Sequence, residues 1–124
     1  MATQGQTNRE SFIAGADLSA KQFTFVIMNT TDRTVVSAGN GVAADGILIN
    51  KPGSGDAATV VTGGRTVIVA GTGGLTAGAN VGVDAAGAGV VAATGDIIVG
   101  KVVDAAAAGG FATVDFFRGG NAEA

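Results

Sequence analysis

The chain has 124 residues, a net charge of −3 and 47% hydrophobic residues, which is enough for one domain with a modest core. It contains no Cys, His, Trp or Tyr. Without His and Cys, the commonest general base, the commonest nucleophile–base pairs and nearly all zinc sites are excluded, and no disulfide can form. We therefore predict a non-enzymatic protein with no catalytic residues, no cofactor and no metal site.

The charge pattern and the apolar runs bear on two further classes of partner. The seven basic residues are spread along the chain, whereas nucleic-acid binding needs clustered Lys and Arg with aromatic platforms. No run approaches the ~20 apolar residues that span a membrane, and residues 1–6 have no signal-peptide pattern. The sequence predicts no nucleic-acid partner, no membrane partner, and synthesis in the cytoplasm.

Residues 1–17 are predicted to form a flexible N-terminal arm, because this polar segment cannot bury enough surface to order itself. Phe12 and Ile13 are its only large apolar side chains. Two interpretations are open: a mobile terminus, or an arm that orders on a partner through Phe12 and Ile13. A β-domain over residues 18–118 and a C-terminal tail over 119–124 complete the predicted organisation.

Short β runs separated by turn residues fill the first half of the domain. Strand period is clearest from Phe23 to Met28, which precedes a turn at Asn29–Asp32. Further strands are predicted at 34–36, 47–49, 59–61 and 66–69. Gly63-Gly64 lies between the last two, and this two-residue spacing predicts a tight hairpin.

The second half repeats the same pattern. Four more strands are predicted near 81–84, 90–93, 97–103 and 112–118. The single helical candidate is 104–109, and a single turn fits that stretch equally well. Turn signals recur every 8–12 residues, which is typical of a sandwich or a barrel.

Several stretches match nucleotide-binding spacings but lack the required context. Residues 95–101 match a P-loop, yet Val102 stands where Ser or Thr should hold magnesium, and the interior favours a strand. Residues 39–44 and 87–92 match the dinucleotide spacing, but no helix follows either. We interpret all three as turns and strands. Most aspartates lie beside Gly or Ala, which predicts turn residues rather than acid–base pairs. Ca²⁺ binding by some of these carboxylates stays open, although the sequence contains no Asp-x-Asp-x-Asp loop.

Four motifs in order carry a family resemblance. They are Ala14–Phe23, Gly46–Pro52, Leu75–Gly78 and Gly95–Gly100. Together they resemble the phage capsid decoration, or cement, proteins, and the matching region extends from Ala14 to Arg118. These proteins are similar to the lambda-type head decoration proteins.

The resemblance implies an all-β fold: a small glycine-rich β-barrel or β-tulip-like domain with an extended N-terminal arm. It implies a homotrimer on the outer surface of the virion, bound to the major capsid protein and stabilising the expanded shell. The candidate capsid contacts are Phe12, Ile13, Asp17 and Leu18. The alternative is a non-enzymatic β-rich binding module of a virion tail, fibre or cell surface that recognises a receptor or glycan.

Overall fold

The computed structural model describes residues 8–29 and 33–117, and these residues form nine strands and no helix. The predicted all-β fold class is confirmed. The strands are β1 Asn8–Ala14, β2 Phe25–Met28, β3 Thr34–Ser37, β4 Gly46–Leu48, β5 Ala57–Val69, β6 Asn80–Val83, β7 Gly89–Val91, β8 Gly100–Asp104 and β9 Phe111–Phe116.

Five strands close into a small barrel in the order β1-β3-β2-β4-β5, and β5 returns to β1. β1 runs antiparallel to β5 and parallel to β3, so it is the strand that closes the ring. Phe12 faces Ala58 across the β1–β5 ladder. Because β1 and β5 pair with each other, neither is an exposed edge strand of the barrel.

The long strand β5 belongs to two sheets. Its first part lies in the barrel, and its second part, from Gly64 to Val69, pairs with β9 in a sheet of order β5-β9-β8-β6-β7. Just after β5, Ala70 forms a parallel bridge with Gly89 of β7. This bridge brings the last strand back to the first, so the second sheet also curls.

Two apolar clusters account for the core. The interior of the barrel takes one large side chain from each of its strands: Phe12, Val35, Val26, Leu48 and Val60. A second cluster lies between the outside of the barrel and the inner side of the second sheet. Its larger members are Phe25, Ile47, Val61, Ile68, Leu75, Val81, Val83, Val99, Val102, Val114 and Phe116.

β2 contributes to both clusters, and this explains its composition. Phe25 and Val26 are both 0% exposed although they point to opposite faces. Phe25 packs in the cluster between the sheets and Val26 packs inside the barrel. A strand covered on both faces is apolar throughout, so its side chains do not alternate between polar and apolar.

The predicted hairpin at Gly63-Gly64 is wrong, because both glycines lie inside β5. A tight I′ turn needs positive φ at both central residues. Gly64 has φ of 104°, but Gly63 is not among the positive-φ residues. The ladder with β1 shifts register beside Asn8, which pairs with Gly63. The glycines therefore mark the point where β5 passes from one sheet to the other, the kind of position where strands tolerate glycine.

The predicted flexible arm is wrong for residues 8–14, which form β1. Backbone pairing with β5 orders these polar residues, and burial of Phe12 and Ala14 adds apolar contacts. Residues 1–7 lie outside the described part, as do most of the predicted turn at 29–32 and the predicted tail at 119–124. The domain boundary predicted at residue 18 therefore excludes β1 from the domain, although β1 closes the barrel.

Four further predictions can be compared with the structure. No helix forms at 104–109, where Asp104 ends β8 and a turn precedes β9. The strand predicted at 97–103 begins only at Gly100. The strands predicted at 34–36 and 47–49 match β3 and β4 to within a residue.

Candidate binding surface

The described residues form no pocket that could hold a small molecule, and they contain no group of three or more possible metal ligands. None of them belongs to a helix that is long and apolar enough to cross a membrane. The search for a functional site is therefore a search over surfaces.

The aspartates act mainly as turn caps. Asp84 is the clearest case, because the N–H groups of Ala86 and Ala88 donate to its Oδ1 at 2.8 and 2.9 Å. Four more accept a backbone N–H within 3.1 Å: Asp17, Asp45, Asp56 and Asp96. The bonds to Asp17, Asp56, Asp84 and Asp96 span two to four residues, which supports the interpretation of these carboxylates as local turn residues. Asp45 differs, because it binds the backbone of Met28 on β2.

Two of the stretches that match nucleotide-binding spacings, residues 39–44 and 95–101, are hydrogen-bonded to each other. The Ile97 N–H donates to the Gly41 carbonyl at 3.1 Å, and the Gly41 N–H donates to the Val83 carbonyl at 2.8 Å. The backbone amides of Gly41 and Ile97 are therefore used inside the fold. A phosphate loop would present such amides to a ligand.

Two of the four predicted capsid contacts are core residues. Phe12 and Leu18 are 8% and 2% exposed, and both belong to the cluster inside the barrel. The sequence indicated their apolar character, but their burial depends on β1 closing the barrel. They have almost no surface to offer to another protein.

The other two predicted contacts lie on the surface. Ile13 is 46% exposed, and Asp17 is exposed in the turn that follows β1. Hydrogen bonds from the side chain and backbone of Ser19 hold the pKa of Asp17 below its ordinary value. A role for Ile13 and Asp17 in capsid contact stays a prediction.

Arg33, just before β3, contacts three consecutive residues of β1. Its Nη2 donates to the Ser11 carbonyl at 2.6 Å, and its guanidinium lies 5.2 Å from the centre of the Phe12 ring. Its own carbonyl accepts from the Ile13 N–H at 2.6 Å. Arg33 has a left-handed backbone with φ of 55°, which is uncommon for a residue other than glycine. Ile13 is thus presented on a strand held by Arg33 as well as by β5.

Large apolar side chains are exposed at six described positions: Ile13, Met28, Val42, Val91, Phe111 and Phe117. Scattered exposed apolar residues are normal on a folded protein. Phe111 differs from the others because it is 63% exposed and has an aromatic neighbour. Its ring meets that of Phe23 edge to face, with the centroids 5.5 Å apart.

Phe23 is held in a strained conformation beside Phe111. Its φ is 66°, a left-handed value that a bulky side chain rarely adopts. Such a residue costs about 1–3 kcal/mol and persists only where its surroundings fix it. Here the Phe23 N–H donates to the Leu48 carbonyl at 2.6 Å, and the Phe23 carbonyl accepts from the Val69 N–H at 2.9 Å. Phe23 therefore bridges β4 of the barrel and the end of β5.

Phe111 lies on the outer side of the second sheet, which we call the Phe111 face. The face contains alternate residues of two strands: Arg65, Val67 and Val69 on β5, and Phe111, Thr113 and Asp115 on β9. Lys101 and Asp104 of β8 complete it, because the β8–β9 register shifts between Val102 and Asp104 and pairs Asp104 with Thr113. Its apolar end is formed by Val69 opposite Phe111. Arg65, Asp115 and Lys101 stand in one row at the charged end.

The charged row contains a paired arginine and aspartate. The Arg65 Nε donates to Asp115 Oδ1 at 2.8 Å, and its Nη2 donates to Oδ2 at 3.3 Å. The hydrogen bond from Arg65 lowers the pKa of the Asp115 carboxyl and raises that of the guanidinium. Both side chains are about half exposed, so the pair orders the face more than it stabilises the fold.

Sequence reasoning missed the Phe111 face. The sequence predicts a strand at 112–118 without a role for Phe111, and it predicts that Phe23 belongs to a regular strand. One available signal was an aromatic residue directly after Gly109-Gly110, at the start of an alternating run. The contact with Phe23 depends on how the chain enters β2, and no local pattern encodes it.

Comparison with known proteins gives a match of fold. No protein-family model and no curated protein matches the sequence. Among solved structures, the chain is similar to the N base of the head fiber protein gp8.5 of bacteriophage phi29, with a TM-score of 0.74 and 15% identity. The alignment covers 95% of this chain and 100% of the phage chain. At this identity, the likeness establishes a shared fold.

Proposed function

We propose that this chain is a structural protein of a phage head that attaches to the outside of the shell. The observation that supports this most strongly is the fold. It matches, over nearly its whole length, the base domain of a protein whose name places it on a phage head. Fold alone does not determine function, so the proposal also needs support from the chemistry of the chain.

The chemistry of the described residues is compatible with a binding role. Most of their aspartates accept backbone hydrogen bonds or pair with arginine, and four of the six exposed large apolar side chains lie on strands: Ile13, Met28, Val91 and Phe111. Rigid side chains on a sheet lose little conformational entropy when they bind, which favours protein–protein contact.

The finer proposal is a decoration role. In it, the protein binds the major capsid protein as a homotrimer and stabilises the expanded shell. Ile13 and Asp17 are the exposed candidates for that contact, while Phe12 supports Ile13 from inside the barrel. Binding only to the expanded shell would stabilise that shell by mass action.

A second candidate is the base of a head fibre, and the name of the matched phage protein favours it. In this role the domain attaches a fibre to the shell, and the fibre has a function other than stabilising the shell. The two roles differ in one measurable consequence: a decoration protein raises the thermal stability of the shell, whereas an attached base leaves it unchanged.

The test is co-sedimentation of the full chain with expanded, undecorated shells of the cognate phage, titrated to saturation. We expect saturable binding at a fixed ratio to the shell subunits. A folded protein that shows no binding at any concentration would overturn the proposal and direct attention to receptor or glycan binding. Shell melting with and without the bound protein then separates decoration from fibre attachment.

A variant pair tests the proposed contact at Ile13. Ile13→Ser should weaken shell binding at least tenfold, because it removes an exposed apolar side chain from a rigid strand. Val91→Ser is the matched control, since Val91 is exposed to a similar extent, 51% against 46%. Equal binding by both variants would remove Ile13 from the contact surface.

A further inference from the structure

The Phe111 face has the properties of a contact surface with no partner in the single chain. It joins a 63% exposed aromatic ring to a second ring whose backbone is fixed by two hydrogen bonds. Val69 lies opposite Phe111 on the neighbouring strand, and Val67 follows it toward the charged row. Preformed aromatic anchors of this kind are typical of interface centres.

The charges on the face indicate which partner fits it. Each copy of the chain carries a net charge of −3, so the net charges of two copies repel, and a contact surface whose own charges cancel adds no further repulsion. The Phe111 face carries two basic residues, Arg65 and Lys101, and two acidic residues, Asp104 and Asp115, so its charges sum to zero. Arg65 is already paired with Asp115.

The arrangement of the charges supports the same partner. Lys101 pairs with Asp115 in the β8–β9 register. The negative charge of Asp104 attracts the positive charge of Arg65. Positive and negative groups therefore alternate across the sheet instead of forming one block of a single sign. A strongly basic or acidic partner would gain nothing from such a face, whereas another copy of the chain meets no net repulsion there.

We propose that the Phe111 face is the surface through which copies of this chain associate, with Phe111 at its apolar end and the charged row at the other end. This inference deepens the proposed function, because it names the surface that holds an assembly together on the shell. Phe111 and Ile13 then have separate roles: Phe111 contacts another copy and Ile13 contacts the shell.

The first test measures self-association of the full chain by sedimentation velocity over a range of concentrations. Phe111→Ser should weaken association at least tenfold while leaving the far-ultraviolet circular dichroism spectrum unchanged. The matched control is Met28→Ser, which removes a large apolar side chain at a 44% exposed position on β2, a strand of the barrel and not of the second sheet. A monomeric wild-type chain, or equal association by Phe111→Ser and the wild type, would overturn the inference.

A second variant tests the charge argument without touching the aromatic pair. Lys101→Glu changes the sum of charges on the face from zero to −2 and should weaken association, with partial recovery at high salt. Lys51→Glu changes the net charge of the chain equally at an exposed loop position and is the control. Equal association by both variants would contradict the role of the neutral face.

Shell binding separates this inference from the proposed function. If Phe111→Ser binds shells but no longer associates in solution, both proposals stand. If it associates as the wild type does but loses shell binding, the face contacts the head, and the inference of self-association is wrong. If the wild-type chain associates but binds no shell, the proposed function fails and the self-association surface stands.

Discussion

Phe25 is the residue whose removal should damage the fold most directly. It is 0% exposed and packs between the barrel and the second sheet, with its ring centroid 6.0 Å from that of Phe116. Strands on both sides fix its surroundings, so the space left by Phe25→Ala cannot close fully. Removing a fully buried phenylalanine costs about 3–5 kcal/mol, from lost burial and from the cavity that remains.

This loss is large relative to the stability of a small domain, which is about 5–15 kcal/mol. The assay is urea unfolding followed by far-ultraviolet circular dichroism at one fixed protein concentration, because the chain has no Trp or Tyr for fluorescence. Phe117→Ala is the control, since Phe117 is 43% exposed and should change the free energy of unfolding by less than about 1 kcal/mol. A change below about 1 kcal/mol for Phe25→Ala would refute the packing of the two sheets described above.

Two further predictions concern the backbone and the surface charge. Gly46→Ala should lower the free energy of unfolding by about 1–3 kcal/mol, because the added methyl group would overlap the Val60 side chain. Gly39→Ala, where the methyl group meets nothing within 4 Å, should be tolerated, and similar losses in both variants would contradict the close approach at Gly46. The Asp115 carboxyl has a folded pKa below its ordinary value of 3.8, so its ion pair with Arg65 stabilises the fold above that pH and loses this effect as the pH falls through the lowered pKa. The stability difference between the wild type and Asp115→Asn, measured by urea unfolding from pH 7 to pH 2, should therefore shrink at the acidic end, and a difference that grows there would contradict this sign.

The sequence predicts local β structure well where apolar runs are bounded by turn residues. β3 and β4 were predicted from three-residue runs, and turn residues on either side set their limits. β2 was harder, because the alternation from Phe23 to Met28 indicated one buried face. In the structure both Phe25 and Val26 are buried, which only the packing of a second sheet on the barrel explains.

The errors share a physical cause, which is pairing between distant parts of the chain. The local pattern around Gly63 and Gly64 predicts a hairpin, yet β5 continues through them to pair with β9. The polarity of residues 8–14 predicts part of a flexible arm, yet β5 supplies a partner for their backbone. Long-range backbone pairing overrides local preference in both cases, and it also sets the position of Phe12 and Leu18.

The candidate surfaces were only partly accessible from sequence. Ile13 and Asp17 were selected, and they are exposed. The pairing of Phe111 with Phe23 requires the loop before β2 to meet the start of β9, and these residues are far apart in the chain. An exposed aromatic becomes a candidate contact only when its neighbours in the fold are known.

The most direct measurement of the central claim is cryo-electron microscopy of expanded shells saturated with the purified chain. The account predicts added density on the outer surface of the shell, at fixed positions relative to its subunits, into which this two-sheet domain fits. The Ile13 side of the barrel should face the shell, and the Phe111 face should meet another copy. Shells that carry no added density, although the protein is folded and in excess, would contradict the account.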